Sequence, residues 1–157
     1  MYAIWATVIF VMLTGAYALF DSEALSSTPS SINVNLADSM NMYRQAVVAY
    51  ALKHPSLTAQ VPASNLSLPA TQTAPWQNYV MPNSDGGSLV VVYGVSQSSG
   101  AAALEVEQMA QGSALAGVAL GGTVQSPGNP AVPMPSPLAN SVPDGAVVWM
   151  TQAYASP

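Results

Sequence analysis

The side chains able to do chemistry are few, and their order along the chain limits what they can do. The most enzyme-like fragment is Gly94-Val95-Ser96-Gln97-Ser98, set between an apolar run and a helical stretch. A nucleophile elbow needs glycine where Ser98 stands, because its sharp turn crowds the flanking positions. The sole histidine, His54, precedes Ser96, so the order serine, acid, histidine fails too. The fragment therefore reads as a turn in which Ser98 or Ser99 caps the next helix, and His54 as a solvated helix-end residue. The seven acidic residues are scattered except for two pairs. Glu105 and Glu107 are two apart on a helix and point to different faces, Glu105 outward. Asp21 and Glu23 follow the apolar N-terminal run. Neither pair forms an acid–base couple.

Other chemistries fail for want of groups. With one histidine and no cysteine, only a carboxylate metal site is conceivable, and disulfide frameworks are ruled out. Gly121-Gly122 lacks the strand-to-helix context of a phosphate-cradling loop. Asn65-Leu66-Ser67 matches a glycosylation acceptor, which matters only in a eukaryotic secretory host. The basic side chains are Arg44 and Lys53, and the net charge is −5. A nucleic-acid or anionic-lipid surface needs a basic cluster to replace counterions, and there is none. Arg44 reads as part of a solvated helix face or as half of an ion pair. The expectation is no enzyme, no cofactor and no metal, with function carried by contacts. Candidate contact residues are Trp76 and Tyr79, together with Pro133, Pro135 and Pro137 in a proline-rich stretch. Core filling competes with partner contact for the tryptophans.

The elements that would position these residues can be read in turn. Only 6% of residues are charged, against about 25% in ordinary soluble domains. No charged side chain occurs from Met1 to Phe20. As a helix, residues 2–20 would be about 28 Å long, close to the hydrocarbon thickness of a bilayer. Tyr2 and Trp5 lie toward one end and Tyr17 and Phe20 toward the other, as in interfacial aromatic belts, with Phe10 and Leu13 between them. A retained membrane anchor is the favoured reading. A cleaved signal, with Ala16-Tyr17-Ala18 as its processing site, is the alternative, although the basic n-region is missing. Residues 21–34, rich in serine, read as a flexible tether.

The remaining 35–157 form one domain. A helix begins at Asn35, with Asp38 in a capping-box position, and carries the stripe Leu36, Met40, Tyr43, Val47, Tyr50 and Ala51 to Lys53. Residues 55–82 hold five prolines and read as a surface-hugging connection with at most one short strand. Ser88–Val95 reads as a central strand covered on both sides. A second helix over 100–111 ends with Gly112 at its C′ position. Residues 116–124 read as one strand weakened by glycine, and 126–143, with six prolines, as an extended polyproline-like excursion. Residues 146–153 form the last strand. The fold class is α+β: an N-terminal transmembrane helix, then a small, mostly antiparallel sheet packed with two helices on one side.

The anchor, the tether and the stretch MNMYRQAVVAYA, residues 40–51, ending at Pro55, resemble the PilM family of enterobacterial type IVb pilus systems, the thin pili of conjugative plasmids. The later Trp76, the strand end Tyr93-Gly94 and the lack of cysteine fit as well. The resemblance implies an inner-membrane protein with a periplasmic domain, part of the pilin-transport apparatus or basal body. It would act on other pilus-assembly proteins, with homo-oligomerisation open. It is distinct from the cytoplasmic actin-like protein that shares the family name, which needs nucleotide-binding loops. The competing expectations are a minor pilin-like subunit of the fibre, or a secreted hydrolase using Ser96.

Overall fold

The computed structural model describes residues 31–69 and 75–154. The expected anchor at 1–20, with Trp5, Phe10, Leu13, Tyr17 and Phe20, lies outside them, as does most of the tether. Among the described residues no helix is long and apolar enough to cross a membrane.

Helix α1 runs Ser31–Lys53, starting four residues ahead of the expected Asn35 cap, so 31–34 are helix rather than tether. No glycine or proline lies between Pro29 and Pro55, and once nucleated the helix adds one hydrogen bond for each residue it fixes. Asp38 consequently sits in the helix interior and caps nothing. The predicted stripe holds: Met40, Tyr43, Val47 and Ala51 are buried, joined by Ala37, with Leu36 and Tyr50 packed at the margin.

Among the described residues six antiparallel strands form one sheet: β1 (Trp76–Pro82), β2 (Ser88–Gly94), β3 (Ala116–Leu120), β4 (Thr123–Gln125), β5 (Val132–Pro133) and β6 (Val147–Ala153). Their order is β1-β2-β6-β3-β4-β5, so the last strand lies near the middle. Val90, Val91 and Val92 are all fully buried, as the run of apolar residues on both faces predicts. Alternation sends Val90, Val92, Val147 and Trp149 to the face carrying α1, and Val91, Tyr93, Val148 and Met150 to the other.

A turn of 3-10 helix, Gln97–Ala102, leads into helix α2, Ala103–Met109, where one continuous helix was expected. Ala102, Ala103 and Val106 are buried. So is Glu105, against its expected outward position, while Leu104 is 53% exposed. The 3-10 start winds the chain more tightly than an α-helix and shifts the face that reaches the sheet.

Residues 116–124 are two strands, not one. Gly121 and Gly122, at φ 56° and 76°, make the two-residue turn between Leu120 and Thr123, and both left-handed positions suit a hairpin of type I′. The Asp144 carboxylate accepts a 2.8 Å hydrogen bond from the Gly121 N–H. The proline-rich stretch is not an extended excursion either. After β5, Met134, Leu138 and Val142 turn inward at intervals of four and cover the second face of the sheet. The Pro135 carbonyl accepts from the amides of Leu138 and Ala139, closing a helical turn. Burying three apolar side chains outweighs the extended preference of isolated prolines, at roughly 1.5–3 kcal/mol for each large one. The sheet thus has helices on one face and a folded loop on the other.

Candidate functional site

The enzyme-like fragment resolves into packing. A Cβ on Gly94 would overlap the Ser99 side chain. The Ser99 hydroxyl fills that space, donates to the Ser96 carbonyl at 2.6 Å and accepts from the Val147 N–H at 3.3 Å. The Ser96 hydroxyl is shared only with that of Ser98, at 2.7 Å. His54 stacks on Tyr50, with ring centroids 4.2 Å apart, and its Nδ1 meets the Tyr50 carbonyl at 3.0 Å. It stands at the end of α1, as expected, and no hydrogen bond joins it to Ser96. Among the described residues no group of three or more histidine or acidic side chains clusters.

The expected contact residues separate. Trp76 is a core residue: it is 5% exposed and its indole N–H donates to Ser39 Oγ at 3.0 Å. The first residue of an edge strand, it packs beneath α1. Tyr79 is half-buried on the opposite face, against the cluster around Val91. Pro133 and Pro137 are exposed and Pro135 half-buried, forming the outer skin of the loop that covers that face.

The site that spacing did not reveal centres on Arg44. Helix α1 projects it toward β6, whose alternation places Trp149 and Thr151 on the same face. The guanidinium carbon lies 4.1 Å from the Trp149 ring centroid, within cation–π range. Nη1 donates to Thr151 Oγ1 at 3.1 Å and Nη2 to Asn41 Oδ1 at 2.9 Å. Nε is buried without an acceptor. Arg44 is therefore neither fully solvated nor half of an ion pair with any described residue. Burial pushes its pKa down. The site opens into a pocket of about 320 Å³, walled by Met109 at the end of α2, by Gln111, Ser113 and Leu115 beyond it, and by Trp149 and Thr151 of β6. Gln111 holds φ 56°, the left-handed region that side chains other than glycine seldom occupy. One signal was available beforehand: Arg44, the chain's sole arginine, immediately follows Tyr43 of the buried stripe.

The PilM family model matches residues 8–150, and the chain belongs to that family. The family is pilus-related, and membership makes the chain a pilus-system component. A crystal structure bearing the name PilM, from Escherichia coli B7A, is similar at 20% identity and a TM-score of 0.47, over 77% of this chain and 92% of that one. No curated protein matches.

Proposed function

We propose that the chain is a structural or assembly component of a type IVb pilus, anchored in the bacterial inner membrane with its α+β domain in the periplasm, and that it acts through protein contacts rather than catalysis. The observation that carries this reading is the family match across residues 8–150. The packing role of Gly94 and Ser99 supports a non-catalytic domain, and the charge-free segment from Met1 to Phe20 supports an anchor. Its partners are other pilus-assembly proteins. Cell fractionation tests the anchoring: the protein is expected in inner-membrane fractions, released by detergent and not by salt. Recovery solely as a soluble species lacking residues 1–18 would overturn it. Ser96→Ala is expected to leave pilus assembly unchanged.

A second reading, a minor subunit of the fibre, is favoured by the long α1 laid across an antiparallel sheet. Its discriminating result is the protein distributed along sheared pili.

A further inference from the structure

We propose that the Arg44–Trp149 pocket is a docking site for a carboxylate borne by a partner polypeptide. The guanidinium lies on Trp149 and is fixed at both Nη atoms, so its orientation is set before any ligand arrives. Each Nη keeps a second hydrogen beyond these bonds, and Arg44 lines the pocket. No described carboxylate pairs with it, and none of the residues lining the pocket is acidic. The polar side chains around it, Gln111, Ser113, Thr151 and Gln152, can all donate. A half-buried cation without a counter-charge costs desolvation that an incoming anion would offset. Planar guanidinium suits the paired oxygens of a carboxylate, whereas phosphate sites usually gather several positive charges. The apolar wall of Met109, Leu115 and Trp149 favours a carboxylate on an apolar shoulder over a free inorganic anion.

The inference deepens the contact reading and depends on it for the source of the carboxylate; the binding measurement does not. Because Arg44 is the sole arginine, its Nε–Hε signal is unique in a proton–nitrogen spectrum of the full-length chain kept in mild detergent. Three probes distinguish the sources. They are a capped tripeptide whose only carboxylate is a glutamate side chain, a capped dipeptide whose only carboxylate is its C-terminus, and the glutamine version of the tripeptide. A saturable shift of the Arg44 signal with either acid, and none with the glutamine peptide, is expected, and the stronger acid identifies the source. Arg44→Lys, followed through the Gln111 and Thr151 amides, should weaken binding by about tenfold, since lysine keeps the charge and loses the planar fork. No shift with either acid, an equal shift with the glutamine control, or an equal shift with sodium chloride would overturn the proposal. Carboxylate binding together with normal pilus assembly in the Arg44→Lys strain would leave the site standing and count against the contact reading.

Discussion

Asn78 shows how one side chain can close a fold locally. It is 1% exposed, accepts from the Val61 N–H at 2.8 Å, and donates to the Val61 carbonyl at 2.9 Å and to Tyr43 Oη at 2.8 Å. A side-chain amide here does the work of a neighbouring strand, tying the connection after α1 to edge strand β1 next to the Ala59–Val80 bridge. Asn78→Leu would leave the Val61 amide and carbonyl and the Tyr43 hydroxyl without these partners. The expected cost is about 2–4 kcal/mol, read as a lower denaturation midpoint at unchanged slope. Tyr43 also gives a pH prediction. Burial raises its pKa, and its hydrogen bond with Asn78 lowers it by less; burial raises that of Tyr93, with Tyr43 adding to the rise. A raised folded pKa means the fold prefers the neutral phenol. The stability from this source is complete below the unfolded value near 10 and is lost as pH rises through the folded values. Tyr43 and Tyr93 are expected to ionise late in an ultraviolet titration, and Tyr43→Phe should remove one late component.

At the level of elements, the end of α2 is a helix stop built on an unsuitable residue. The amides of Gly112 and Gln111 donate to the carbonyls of Glu107 and Gln108, the paired bonds of a Schellman motif. That register makes Gln111 the C′ residue, one position before the expected Gly112. Gln111→Gly is expected to raise stability by about 0.5–1 kcal/mol, seen as a higher melting temperature. The sequence announced elements wherever one periodicity ran unbroken. The stripe of α1 and the apolar runs of β2 and β6 are of that kind, and each has a fully buried core residue to enforce it. It was silent where tertiary contacts decide. Gly121-Gly122 looks like a weakness inside a strand until Asp144, 23 residues on, clips the turn. Residues 126–143 look extended until Met134, Leu138 and Val142 find the open face of the sheet. Arg44 read as a solvated or ion-paired helix residue and not as a pocket, because Trp149 and Thr151 lie more than 100 residues away and only the β6 register brings them beneath it.

The whole domain is a sheet sealed on both faces, and its seal depends on pairings distant in sequence. β2 finds its inner neighbour β6 across the intervening helix, hairpin and loop, with Val92 opposite Trp149. Such non-local closure predicts refolding on the order of milliseconds to seconds, slower than a helical bundle of this size, measurable by tryptophan fluorescence after dilution from denaturant. The strand order carries one more implication. Ribosomes deliver this polypeptide from the amino end, so β1 and β2 emerge with an unsatisfied flank that only residues 147–153 can fill, while β3 waits for the same keystone. Until those residues arrive the module has no completed interior. A chain ordered in this way stays unlocked through most of its own synthesis.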